Sequence, residues 1–137
     1  MCLGIMLFTM HACFTGAAYV ETVLKGFAGF YAVMGVLQVV APLQTAKGWG
    51  IPSGLVGALD RQLFKTYGYF VGEFAVLLFS LIRGNPPAVA WGHSRLVTLL
   101  CAFDNFFISQ VSQLGVALAP QIAGAAISLL VTAFTIL

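Results

Sequence analysis

An all-α, polytopic bundle of membrane-spanning helices is the fold class this sequence predicts, and three observations predict it. Apolar residues make up 61% of the 137-residue chain and charged residues 7%, against roughly 25% charged in an average soluble domain. The apolar residues gather into runs that approach or reach the ~20 residues a spanning helix needs. Proline, glycine and charge cluster between those runs. A soluble fold this small must clothe itself in polar groups, and this chain has too few. Lipid is the solvent that tolerates such a surface.

The first run covers residues 22–41 and stops at Pro42. A loop over residues 43–63 follows, with Lys47, Trp49, Pro52 and the Asp60–Arg61 pair. The second run, 64–82, is closed by Arg83, Gly84, Asn85 and the pair Pro86–Pro87. Two prolines in succession cannot continue a helix. The third run begins at Ser94 or Arg95 and extends to Ala117, and Pro120 opens a fourth that reaches Leu137. Proline is well tolerated in a first helical turn. Residues 1–21 are apolar but carry no Lys or Arg, unlike the positive start of a secretory signal. They read as an apolar N-terminal extension or an extra helix. Residues 22–137 are therefore expected to form a transmembrane four-helix bundle, with five helices as the alternative.

The net charge of +2 is spread thinly over ten charged residues, which excludes a nucleic-acid footprint. Lys and Arg excess in short loops sets membrane orientation, but Lys25, Arg83 and Arg95 on one side balance Lys47, Arg61 and Lys65 on the other. The three cysteines, Cys2, Cys13 and Cys101, make no CxxC motif and no disulfide framework. Nucleophile elbows, phosphate loops, HExxH and dinucleotide fingerprints are all missing. No catalytic residue and no metal site is predicted.

Two acids sit where lipid should forbid them. Glu73 and Asp104 each lie about nine residues inside an expected span, ~13 Å deep at 1.5 Å per residue, and an earlier end to the third helix would instead leave Asp104 near an interface. An acid there faces the bundle interior, is neutral, or has a partner, and is a functional candidate by default. The third run also carries a stripe: Ser94, Thr98, Cys101, Asn105, Ser109 and Ser112 fall within about 80° of one another at 100° per residue. On the second run Lys65, Tyr69, Gly72, Glu73, Val76 and Ser80 share a face, and Gly68–Gly72 reads as GxxxG. Small and weakly polar residues let helix backbones approach closely, so Gly68, Gly72, Thr98, Asn105, Ser109 and Ser112 are expected to pack the second and third helices on each other or on a partner.

The two histidines, His11 and His93, are too far apart in sequence to suggest a shared metal site. A single axial ligand to a pigment needs only one side chain, which makes His93, Glu73 and Asn105 candidates for single contacts to a chlorophyll. Trp49, Trp91, Tyr67 and Tyr69 lie near expected helix ends, as an interfacial aromatic belt would.

From Lys25 onward the chain resembles the DoxX-like group of small four-helix membrane proteins. The residues that carry the resemblance are Gly35 and Pro42, the run Gly48-Trp49-Gly50-Ile51-Pro52, Arg61, Tyr67-Gly68-Tyr69 and Gly72-Glu73. The resemblance implies a four-helix bundle over residues 25–137 and supplies no reaction or site residues.

These features lead to the expectation of a non-catalytic accessory subunit of a large membrane complex, with a lean toward a photosynthetic assembly. Its partners are then the lipid bilayer and other membrane subunits, its cofactors chlorophyll, carotenoid or bound lipid, and its place the thylakoid or the mitochondrial inner membrane. The alternative is an autonomous DoxX-like protein that binds or transports a lipid-like molecule such as a sterol or quinone. That reading predicts a cavity lined by Glu73, Asn105, Tyr69 and Asp104.

Overall fold

The computed structural model describes His11 and residues 20–136, and every regular element among them is helical. The expected extension over residues 1–21 lies outside the described residues except for His11, Val20 and Glu21, the last two opening the first long helix. The helices are α1 (Val20–Val40), α2 (Pro42–Gly48), α3 (Ala58–Ile82), α4 (Pro87–Phe103) and α5 (Ala119–Ile136). A 3-10 turn at Ser53–Leu55 precedes α3, and a π turn at Asp104–Ile108 followed by a 3-10 turn at Val111–Leu114 separates α4 from α5.

Three of these helices are long and apolar enough to cross a membrane: Glu21–Val40 of α1, all of α3 and all of α5. The α4 helix has only 17 residues, but the π turn extends its helical path through residue 108, ~33 Å in all at 1.5 Å per residue.

Local chemistry explains where the helices break. Pro42 has no N–H to donate and disfavours helical geometry in the residue before it. Ala41 accordingly sits at φ −133, ψ 57, and a new helix starts with Pro42 in its first turn. The expected loop over 43–63 thus contains the short helix α2, which leans back on α3 through Trp49 and Phe64, edge to face at 6.3 Å. The α3 helix begins six residues earlier than the apolar run indicated. Asp60 belongs to its first turn, where the carboxylate accepts the Gly57 N–H at 2.8 Å. A helix can carry charge once it leaves the apolar layer, and an acid suits its N-terminus.

The α4 helix is shifted the most, starting seven residues before Ser94 and ending well short of Ala117. Gly84, at φ +82, terminates α3 as a left-handed cap. Pro87 then occupies the first turn of α4, so the proline pair both stops one helix and starts the next. At the far end the Ser109 N–H reaches back five residues to the Asp104 carbonyl at 2.7 Å. Gln110 turns left-handed at φ 45, and residues 109–117 leave the helix.

The long helices form a row in the order α1, α3, α4, α5, each packed on the next. The backbones of α1 and α5 do not approach each other, nor does α1 approach α4, nor α3 approach α5. Among the described residues the row is one helix thick and encloses no common core. Its buried apolar residues are small ones, Ala28, Ala46, Ala75, Ala90, Cys101 and Val111, while large side chains such as Phe74, Leu100 and Phe134 face outward.

Glycine sets two of the three helix contacts. A Cβ placed on Gly35 of α1 would lie 2.9 Å from the Gly68 carbonyl oxygen and 3.0 Å from the Gly72 nitrogen of α3. Gly68 therefore accepts α1, where packing on α4 was expected, while Gly72 lies between the two: its backbone meets Gly35 of α1, and a Cβ on it would stand 3.6 Å from Val97 of α4. On the other side Gly92 of α4 lies under Thr135 of α5, and the Thr132 hydroxyl donates to the Gly92 carbonyl at 3.4 Å.

Gly35→Ala should destabilise the folded protein by about 1–3 kcal/mol, because backbone on the facing helix cannot retreat as a side chain would. Gly29→Ala, where an added methyl meets nothing within 4 Å, should be neutral or mildly stabilising. Reversible unfolding in mixed detergent micelles measures both; equal stability of the two variants would contradict this packing.

Candidate functional site

Polar side chains inside the row gather along the seam between α3 and α4, where the helices run antiparallel. Residues three or four positions apart share a helix face, and successive rungs of this seam use that spacing on both sides.

Gln62 of α3 donates through Nε2 to Asn105 Oδ1 at 2.6 Å, and Asn105 Nδ2 donates to Cys101 Sγ at 3.6 Å. Lys65 Nζ stands 2.9 Å from both oxygens of Asp104. It also donates to the Ser109 hydroxyl at 3.0 Å, and that hydroxyl lies 3.2 Å from Asp104 Oδ1. The π turn is what makes this arrangement fit, because it brings Ser109, five residues on, back over Asp104.

Two turns further along α3, Glu73 Oε2 receives Arg95 Nη2 at 2.7 Å, and the Thr98 hydroxyl bonds Glu73 Oε1. The Arg95 guanidinium also lies 5.9 Å from the centre of the Trp91 ring, within range of a cation–π contact. At the end of the seam the Ser80 hydroxyl lies 2.8 Å from His93 Nδ1 and accepts from Asn85 Nδ2 at 2.9 Å.

The two ion pairs are oriented in opposite senses. At one level α3 carries the acid and α4 the base; at the other α3 carries the base and the π turn after α4 the acid. Glu73 is 7% exposed and Asp104 2%, so neither carboxylate has water to solvate it. An unpaired charge at such a site is costly, and pairing makes each rung neutral.

Several expectations are corrected by these positions. Asp104 follows the last residue of α4 and sits in the π turn, not near the middle of a span. Arg95, expected at the mouth of the third span, lies eight residues into α4 and partners Glu73. Ser112 lies in the 3-10 turn with its side chain exposed, outside the packed seam. Thr98, Asn105 and Ser109 lie on the seam and bond across it. Glu73, Asn105, Tyr69 and Asp104 do not line one shared cavity: Tyr69 borders a groove beside α1, Asn105 a groove beside α5, and Glu73 a small cleft of about 80 Å³ against Trp91 and Arg95. Sequence reasoning also missed Gln62, Lys65 and Arg95 as partners. The signal available was their charge and hydrogen-bonding capacity at helical spacing opposite two buried acids.

Two long grooves remain on the row. One lies over α3 between α1 and α4, about 320 Å³ in volume, floored by Gly35, Gly68 and Gly72. It continues past Val76, Phe79 and Val97 into a wider recess of about 570 Å³ beside Ser80, Arg83, Asn85 and His93. The other lies over α4 between α3 and α5, about 320 Å³, with Gln62, Asn105 and Gln121 among apolar walls. Among the described residues no group of three His, Cys, Asp or Glu side chains is placed to hold a metal ion. No protein-family model, curated protein or solved structure matches the chain.

Asp104→Leu should lower stability by about 3–5 kcal/mol by stranding the Lys65 ammonium. The double variant Lys65→Met/Asp104→Leu should recover most of that loss, because two apolar side chains leave no charge unpaired. An SDS unfolding titration of both variants decides it; a double variant as unstable as the single one would show that the pair is not what joins the helices there.

Proposed function

We propose that this chain is a non-catalytic accessory subunit of a larger integral-membrane complex. The observation that carries the reading is the open row. Among the described residues, the four long helices, packed one deep, leave about half of their large apolar side chains exposed and none fully buried, and no described helix covers the outer sides of α1 and α5. Van der Waals packing drives helix association in lipid, and a layer without an interior gains that packing by lying against other subunits. The acids and bases of the seam already pair in charge, although Arg95 Nε and Asp104 Oδ2 have no hydrogen-bond partner. This fits a role in holding shape better than a role in transferring protons or binding a charged substrate.

Within this reading a photosynthetic assembly is the preferred setting. Two of the three candidate pigment contacts, Glu73 and Asn105, are engaged within the seam, and His93 is the one best placed to serve. Its Nδ1 is held by Ser80, and its ring borders the wide recess, so Nε2 is the atom that would meet a pigment. A histidine oriented through its second nitrogen is the usual arrangement for a ligand to a metal centre.

Extraction of the native membrane in mild detergent, followed by native electrophoresis and an absorption spectrum of the band that holds this chain, tests the proposal. The expected result is migration within a large assembly, with chlorophyll absorption if the setting is photosynthetic. Migration as a small colourless particle would overturn it and favour the autonomous, DoxX-like carrier of a lipid-like molecule.

A further inference from the structure

The groove over α3 joins two chemically different halves. Its recess beside the end of α3 holds Ser80, Arg83, Asn85 and His93, and its long arm is walled by Val36, Val39, Val76, Phe79 and Val97 over a glycine floor. Val76, Phe79 and Val97 border both halves, which sets them end to end along α3. From Ser80 to Gly68 the trough follows α3 for twelve residues, ~18 Å at 1.5 Å per residue. A single leaflet of the hydrocarbon layer is ~15 Å deep.

The polar half lies where α3 ends and α4 begins, the level at which a lipid headgroup would sit beside a spanning helix. Arg83 is exposed there and forms no ion pair among the described residues. The nearby Lys25 charge is answered by Glu21 at 2.6 Å, while the two internal bases are answered by Asp104 and Glu73. Arg83 is thus an uncompensated cation at the mouth of an apolar trough. With Ser80 occupying Nδ1, the remaining polar atom of His93 is Nε2, and Asn85 keeps a second amide hydrogen beyond the one it gives to Ser80.

We propose that this trough binds a membrane lipid with an anionic phosphate headgroup. Arg83 takes the phosphate in a two-pronged, charge-assisted contact, His93 and Asn85 supply neutral hydrogen bonds beside it, and one acyl chain lies along the glycine floor between α1 and α4. The glycines contribute in two ways: they let α1 close on α3, and they leave the trough deep enough for a chain. Membership of a larger complex as such does not bear on this site, but the lipid takes the recess and the His93 Nε2 given above to a pigment, so phospholipid and pigment exclude each other there.

The test uses the full chain, reconstituted in nanodiscs and released into native mass spectrometry with phosphatidylglycerol or phosphatidylcholine as the probe. The expected result is one retained phosphatidylglycerol per chain, about tenfold favoured over phosphatidylcholine, as a charged hydrogen-bonded contact would give. Arg83→Gln should remove that preference, and Arg61→Gln, an exposed arginine at the opposite end of α3, should leave it intact. Val76→Trp should reduce retention of both lipids by filling the trough. An unchanged preference in Arg83→Gln, equal loss in Arg61→Gln, or retention of a free fatty acid in place of the phospholipid would each overturn the assignment. Thermal melting of every variant checks that the fold survives; where Val76→Trp does not fold, the comparison of the two arginine variants decides alone.

Discussion

Two part-buried ion pairs of opposite sense, Glu73 with Arg95 and Lys65 with Asp104, fasten α3 to α4, and the rest of the row is hung on that pair of helices. In a medium that cannot solvate charge, an acid and a base separated in sequence have one acceptable arrangement, which is contact. Two such contacts about two helical turns apart define both the direction and the register of the helices. Sliding α4 by one residue along α3 would misalign both pairs together. Apolar contacts alone would not discriminate so sharply, because one aliphatic side chain packs much like another in lipid.

The polar residues around the pairs complete the rungs. Thr98 answers the second oxygen of Glu73, and Ser109 sits between Lys65 and Asp104. The π turn is the backbone adjustment that brings Ser109 into place, and it does so where the helix is about to end. Gln62 and Asn105 continue the seam beyond the ion pair, Ser80 and His93 at the opposite end. Against this chemically specific junction, α1 and α5 are attached by close approach at glycine, through Gly35 with Gly68 and through Gly92 with Thr135. The row thus combines a polar seam that specifies alignment with two glycine contacts that provide area. Because only neighbours in the row touch, the grooves over α3 and α4 stay open, and the bulky side chains are left for lipid or protein to cover.

Much of the helical layout was legible in the sequence, and the failures share a cause. The end of α1, the start of α5 and the stop after Ile82 could be read from proline, glycine and the length of apolar runs, since these act on the backbone locally. The starts of α3 and α4 could not, because hydropathy marks where lipid begins rather than where a helix begins. Asp60 and Arg61 continue α3 beyond the apolar run, and residues 87–93 form the first turns of α4 despite the proline pair. The end of α4 was overestimated, since helical periodicity continues through Ser109 and Ser112 while the backbone already turns through a π turn and the left-handed Gln110.

The sequence by itself determined that the chain is helical and suited to lipid, that small and weakly polar residues form stripes on two of its apolar runs, and that one acid, Glu73, lies well inside a long helix. These properties follow from composition and from periodicity over a few turns, which neighbouring residues settle among themselves. Tertiary structure decided which base answers each acid, that Gly68 receives α1 while Gly72 lies between α1 and α4, and that the described helices lie in an open row. Those outcomes depend on contacts between residues 22 to 43 positions apart along the chain. No local pattern ranks such contacts, because in lipid an apolar face meets a neighbour or an acyl chain at nearly the same free energy. Buried charge and the space left by glycine break that tie, and they act only once the helices lie side by side.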